Sequence, residues 1–323
     1  MLLYGIKRLL LMAPILLGIT LLSFTIMHMA PGGPAEAQME FSAKASAEAR
    51  ERLRKLYGAD QPIHKQYLTW LTKFVTLDFG EAFADGRKVK DKILERLPIT
   101  LTINFLSLGV ILLVAIPIGI LSATHQYSLL DRFTTMFVFV GYSMPHFWLA
   151  LLLIYLLGVQ WGILPISGKE SLDTAGFTTW QWLMDRADHL VLPVFVSAVG
   201  GLAGLSRYMR NNMLEVMRQD YIRTARAKGL PENTVIYKHA LRNALMPVIT
   251  ILGLSLPGII GGSAIMEQVF GIDGMGRLML QAVFSRDYNV AMGVLAPAAA
   301  LTMIGNFLAD IGYAMADPRV RLK

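Results

Sequence analysis

The sequence predicts an all-α polytopic membrane protein with six transmembrane helices, and three observations carry that prediction. Hydrophobic residues make up 54% of the 323 positions and charged residues only 16%, where a soluble domain carries about a quarter charged. The apolar residues gather into six runs of bilayer-spanning character, 9–29, 101–121, 133–157, 190–205, 245–265 and 290–313. Lysine and arginine are then distributed unevenly between the segments that join the runs. With the N-terminus inside, the inner segments 1–8, 122–132, 206–244 and 314–323 hold 14 basic residues, and the short outer segments 158–189 and 266–289 hold 4. That bias puts both termini in the cytoplasm. It also explains the net charge of +7 without nucleic acid as a partner.

The elements follow in order. The run 9–29 comes after Lys7-Arg8 and is too long for a signal peptide, and Met27-His28-Met29 is a poor cleavage site, so a retained helix is expected over 1–30. Residues 31–98 form an outer insertion too long to obey the charge rule, with 12 basic and 10 acidic groups. Ser42 is suited to cap a helix through 56 that Gly58 closes, and Pro62 to open a second helix carrying Ile63, Tyr67, Trp70, Leu71 and Phe74. Residues 99–323 hold the other five spans. The fourth, 190–205, is short and carries Pro193, Gly200, Gly201 and Gly204, so its ends are open at either side.

The inner loop 206–244 is built more carefully than a connector needs to be. Asn211 to Lys228 is a run of good helix formers, Gly229 suits a left-handed helix stop, and Pro231 suits the start of a helix reaching about Leu241. A positive-inside loop that merely holds topology would satisfy the charge rule alone. Two helices joined by a tight Gly229-Leu230-Pro231 bend would instead make a rigid knob for the groove of a cytoplasmic partner.

The residues here resemble a known family. Tyr221-Ile222-Arg223-Thr224-Ala225-Arg226-Ala227-Lys228-Gly229-Leu230 and His239-Ala240-Leu241-Arg242-Asn243-Ala244-Leu245-Met246-Pro247 are similar to the coupling loop of bacterial ABC-importer permeases, in the dipeptide, oligopeptide and nickel branch. Further matches run in order along the chain: Ala30-Pro31-Gly32-Gly33-Pro34, Leu77-Asp78-Phe79-Gly80, Ser143-Met144-Pro145-His146-Phe147, Leu164-Pro165-Ile166-Ser167-Gly168, Glu267-Gln268-Val269-Phe270-Gly271, Arg286-Asp287-Tyr288 and Asp317-Pro318-Arg319. One departure is that the family's Glu-Ala-Ala opening reads Arg223-Thr224-Ala225, so roles tied to that glutamate do not carry over. The resemblance implies a permease of the bacterial inner membrane that pairs with a second, homologous permease. It implies two cytoplasmic ATPases that hold ATP and Mg, and an extracytoplasmic solute-binding protein that delivers a di- or oligopeptide. Nickel chelates, glutathione and other peptide-like solutes belong to related systems. By the same resemblance Thr224, Ala225, Arg226, Ala227, Lys228, Gly229 and Leu230 lie at the ATPase groove, with Arg226 and Lys228 meeting acidic groups or carbonyls at its rim.

The remaining chemistry is mostly excluded. The only Gly-Lys pair, Gly168-Lys169, is followed by Glu170 and has Ile163 where a P-loop needs glycine. There is no cysteine, no His-Glu-x-x-His, and the six histidines are scattered, so neither a catalytic nor a metal site is expected in this chain. Asp310 is the only acid within a predicted span, which gives an ion-coupled carrier little to work with. Ser143, Pro145 and His146 either pack as a helix-breaking element or line the pathway. Gly200 with Gly204, and Gly258 with Gly262, have close-packing spacing, and Pro257, Gly258, Gly261 and Gly262 are candidates for a hinge. Glu267, Asp273, Arg277, Arg286 and Asp287 are expected to form an outer mixed-charge rim, either solvated or docking the binding protein.

Overall fold

A computed structural model describes residues 2–29 and 60–316. The expected helix over 42–56 and the motifs at 30–34 and 317–319 lie outside the described residues. Among the described residues the regular structure is all helical, with a single isolated β-bridge between Glu81 and Lys88 and no strand. In lipid this is the solution that satisfies every backbone N–H and C=O within one segment.

Helix α1 (Leu2–Met29) is widely exposed, with Leu10, Leu22 and Ile26 each about two-thirds accessible. The amphipathic α2 (Ile63–Val75) begins at Pro62, as expected, and lies on it. Tyr67 and Trp70 pack against Phe24, and Tyr67 Oη lies 3.0 Å from Thr20 Oγ1. Residues 78–88 then fold over α11 (Met275–Phe284) and the start of α12 (Tyr288–Ala316): Phe79 and Ala82, with Val89 just after them, pack with Leu278, Val290 and Val294, and Asn289 Nδ2 donates to the Glu81 carbonyl at 2.8 Å.

The spine is the pair α3 (Val89–Thr124) and α6 (Thr179–Met217). At 1.5 Å per residue the 39-residue α6 is about 58 Å long, nearly twice the hydrocarbon core, so it projects well into water. The undecided ends of the fourth span are therefore settled by extension on both sides. Thr178 caps α6 in a reciprocal capping box with Gln181. Two glycines, one from each helix, let the backbones close. A Cβ on Gly119 would lie 2.6 Å from Met209 Cβ and 3.0 Å from the Ser206 carbonyl, and a Cβ on Gly201 would collide with Ile111. The spacing argument chose different partners: Gly200 faces His146, while Gly204 and Gly258 have nothing within 4 Å of an added Cβ.

The third span is a correction. Instead of one helix over 133–157 there are two, α4 (Leu129–Ser143) and α5 (His146–Gln160), bent by 100° at Met144-Pro145. Pro145 has no N–H to continue the helix and excludes Met144 from helical ψ; Met144 is extended (φ −81°, ψ 127°). Helix α5 finishes in a wider π-helical winding over Ile154–Gln160.

After α6 come α7 (Asp220–Ala227) and α8, which starts at Glu232–Thr234, widens over Val235–Ala240 and ends with Leu241–Ala244. Helix α9 (Met246–Gly261) runs through Pro257 and Gly258 and stops at Gly262, which has φ +67°. At 16 residues it spans about 24 Å, short of a bilayer core. The short α10 (Ala264–Val269) and α11 (Met275–Phe284) lead into α12 (Tyr288–Ala316). By length and composition four of the six expected spans stand as single helices, in α1, α3, α6 and α12, and the bent pair α4–α5 makes a fifth if counted as one.

Gly119→Ala tests the spine. Met209 Cβ and the Ser206 backbone are not free to give way, so the variant should lose about 1–3 kcal/mol, read as a lower thermal midpoint in detergent. Gly109→Ala, on the same helix with nothing within 4 Å of its Cβ, should keep or raise the midpoint. Equal midpoints for both would show that the close approach is not what holds the pair.

Candidate coupling loop and outer-gate residues

The coupling loop forms from a buried side and an exposed side. Ile222 and Ala225 point inward and join Met209, Met213, Val235 and Ala240 in one cluster. Ala225, carried as an interface residue by resemblance, is thus part of the loop's own core. The other six candidates, Thr224, Arg226, Ala227, Lys228, Gly229 and Leu230, are exposed on one projecting surface. The helix stops as its sequence dictates. Gly229 has φ +75°, its N–H reaches the Arg226 carbonyl at 2.9 Å, and Pro231 caps α8. Nothing lies within 4 Å of a Cβ placed on Gly229, so backbone conformation and not space demands glycine.

The bend is braced as well as turned. Arg226 grips Glu232 with both edges, Nε to Oε2 at 3.1 Å and Nη2 to Oε1 at 2.6 Å, across Gly229. The Arg226 guanidinium holds the Glu232 carboxyl below the usual carboxylate range. Asn243 Nδ2 donates to Tyr221 Oη at 2.7 Å, closing α8 onto α7. The guanidinium expected at a partner's rim is therefore engaged within its own loop; Lys228 stays exposed.

The break in the third span exposes Ser143, Pro145 and His146, and the imidazole lies against α6: a Cβ on Gly200 would come within 2.5 Å of His146 Nε2. Of the hinge candidates on α9, Gly261 has open space and Gly262 has the left-handed backbone that ends the helix. At the opposite end of the molecule Arg8 of α1 forms an ion pair with Asp310 of α12. The acid that stood alone in the predicted spans thus ties the first helix to the last.

The expected outer rim needs correction at two of its five residues. Glu267 is 5% exposed and Asp287 2%, so neither is available as a solvated docking charge. Glu267 accepts from Thr100 Oγ1 at 3.1 Å and from the Arg277 N–H at 2.7 Å, while Thr100 Oγ1 in turn accepts from the Met275 N–H at 2.9 Å. The carboxylate therefore gathers α10, the start of α11 and span helix α3 around one buried point. Gly262 and Gly274 leave room for it; a Cβ on either would strike it. Thr100, Asn104, Ser197 and Ser263 line a cavity of about 20 Å³ beside Glu267, on the order of one water. Asp287 accepts from the N–H groups of Ala84 and Val290, and burial pushes its carboxyl above the ordinary range. Asp273 and Arg277 pair with each other at 2.9 Å; Asp273 remains exposed and Arg286 is half-buried.

Sequence reasoning did not single out Thr100, Asp131 or Arg210. An acid three residues after Ser128, at a helix start, was a usable signal for Asp131. Thr100 carried none, because its role depends on a chain 167 residues away.

Glu267→Gln tests the outer pin. The amide has a single acceptor oxygen for the two donors it meets, so one buried N–H or O–H loses its partner, at a cost of about 1–3 kcal/mol. Faster proteolysis of the 262–287 segment in the folded protein is the expected readout. Unchanged cleavage would remove the pin.

Comparison with known proteins agrees with this architecture. Residues 115–322 match the family described as the inner membrane component of binding-protein-dependent transport systems, and residues 1–104 match the N-terminal component of the same systems. The oligopeptide transport system permease protein AppB of Bacillus subtilis (strain 168) is 47% identical, with 98% of each chain covered. The dipeptide transport system permease protein DppB of Escherichia coli (strain K12) is 35% identical over the full length of both chains. A putative peptide permease protein of Brucella suis biovar 1 (strain 1330) is 36% identical, again over the full length of both. With both halves of the family pattern matched in order and relatives aligned end to end, the chain belongs to the binding-protein-dependent transport system inner membrane components.

Proposed function

We propose that this chain is one of two permease subunits of an ATP-driven importer of di- or oligopeptides, in the bacterial inner membrane with both termini cytoplasmic. Its partners are a second, homologous permease, two cytoplasmic ATPases that hold ATP and Mg, and an extracytoplasmic binding protein that brings the peptide. The single observation that carries the reading is the braced bend at Gly229. A rigid, exposed two-helix knob is what converts motion of a cytoplasmic partner into motion of the spans. The full-length likeness to an oligopeptide and a dipeptide permease supports the substrate class.

In this reading the ATPases supply the energy and this chain supplies geometry. Thr224, Arg226, Ala227, Lys228, Gly229 and Leu230 present the contact surface, and Ala225 anchors it from within. Closure of the ATPases displaces α7, and the long α6 carries the displacement to the spine. The break at Met144-Pro145 and the end of α9 at Gly261-Gly262 are the places where the pathway opens to one side and closes to the other. Asp273, Arg277 and Arg286 are the rim charges left to orient the binding protein.

Purification of the complex from native membranes, followed by uptake in vesicles, tests the assignment. The expected result is co-purification of a second permease, ATPase subunits and a binding protein that still carries a peptide, with uptake dependent on ATP. Recovery of the chain alone, transporting without ATP, would sink the reading. Gly229→Val should insert and assemble normally yet lose uptake, because a β-branched residue at φ +75° costs about 1–2 kcal/mol and reshapes the bend. Uptake at the unmodified rate would show that the left-handed turn is dispensable.

A further inference from the structure

Between the coupling loop and the spine lies a polar cluster that the proposed function does not use. Asp131, in the first turn of α4, is 4% exposed. Both of its carboxylate oxygens are fully engaged. Oδ1 accepts from Arg210 Nε at 2.9 Å and from Ser122 Oγ, and Oδ2 accepts from Arg210 Nη2 at 3.0 Å and from the Tyr127 N–H at 3.0 Å. Ser122 closes α3, Tyr127 lies in the turn between α3 and α4, and Arg210 stands on α6. One carboxylate therefore fastens three elements.

Two features separate this cluster from ordinary packing. Tyr127 is held at φ +61°, a conformation that a bulky side chain seldom adopts unless its surroundings impose it, and its N–H is the one aimed at Asp131. With the carboxylate buried and the guanidinium only partly so, the pair is also a modest source of stability, because burying a charge costs much of what the pairing returns. What a forked, two-bond pair does supply is a fixed register between helices, because it tolerates only small displacements before both bonds fail.

The position of the pair gives that register a use. Met213, one turn beyond Arg210, is fully buried in the same cluster as Ile222 and Ala225 of the coupling helix. Met209, the residue before Arg210, and Ser206, one turn before it, meet Gly119 where α3 and α6 approach closely. Asn212 Nδ2 reaches the Ala244 carbonyl at 3.4 Å, at the far end of the coupling loop. Building on the proposed function, we propose that Arg210 and Asp131 are positioning residues for transport. They lock α6 to the α3–α4 corner so that displacement of the coupling helix moves α3, α4 and α6 as one body. Without the lock, α6 slips against its neighbours and hydrolysis proceeds without opening the pathway.

The test uses the complete complex in liposomes, with binding protein and peptide, and measures peptide imported per ATP hydrolysed. Asp131→Asn and Arg210→Met should assemble and hydrolyse ATP at close to the unmodified rate while import per ATP falls about ten-fold. Arg210→Lys, which keeps the charge but not the fork, should fall between. Because the chain has no cysteine, Asp131→Cys combined with Arg210→Cys provides a pair for a short bis-maleimide crosslinker, and the crosslink should restore import per ATP. If the unmodified complex shows no ATP-driven import, the importer reading fails whatever these variants do. If it is coupled and Asp131→Asn is coupled equally well, the lock fails and the importer stands. Variants that lose assembly together with coupling, with no recovery on crosslinking, would assign the pair to folding and overturn the proposal.

Discussion

The closeness of α3 and α6 is the constraint on which the rest of the structure depends. In a bilayer, burying apolar side chains against one another gains little over burying them in lipid, so association rests on close van der Waals fit and on hydrogen bonds between helices. Gly119 and Gly201 supply the fit from opposite sides, and Ser107 Oγ adds a bond to the Val194 carbonyl at 3.2 Å. Helix α4 then lies on α6 beside Gly141, whose added Cβ would meet Val199 at 3.1 Å. The coupling loop packs on the lower part of the same helix through Met209 and Met213, and α5 meets its upper part at Leu190, Leu192 and Val194. A single long helix thus touches both candidate functional ends of the molecule.

The two ends are stabilised by different physics. At the coupling bend the polar groups are at the surface, and the turn is fixed by backbone conformation with an exposed brace across it. At the other end Glu267 and Asp287 are buried, and each accepts from one distant donor, the Thr100 hydroxyl or the Ala84 N–H, and from one nearby N–H. A buried acceptor with two donors fixes the path of irregular backbone more firmly than apolar contact does, because losing it strands the donors. Segment 78–88 and the turns that join α10, α11 and α12 are short on regular structure, and these carboxylates give them a defined shape.

Much of this was readable in the residues, and what was not readable has a common cause. Spans, cytoplasmic bias and the helix–Gly229–Pro231–helix pattern follow from local chemistry, and Pro62 and Gly229 act where their backbone preferences place them. In the third span hydropathy alone gave one continuous run, since it does not register a missing N–H, and the helix-breaking reading of Pro145 was the local signal for the bend. The glycines were misassigned because a four-residue spacing identifies a face but not its neighbour. Gly201, outside either spacing pair, makes a close contact, and Gly204 makes none. Glu267 and Asp287 looked like rim charges because an acid in a loop is usually solvated; only the distant Thr100 and Ala84 reveal otherwise. The pair of Asp131 and Arg210, 79 positions apart, leaves no local trace of itself.

The internal pairing of Arg226 with Glu232 has a consequence for how the coupling loop meets its partner. With Arg226 already bonded to Glu232, the face that the proposed ATPase partner would meet presents exposed Lys228 beside Leu230, Ala227 and the turn itself. The apolar part of such a contact is little affected by Debye screening, whereas the exposed lysine is screened. In the proposed complex, association at this face should therefore weaken only in part as ionic strength rises.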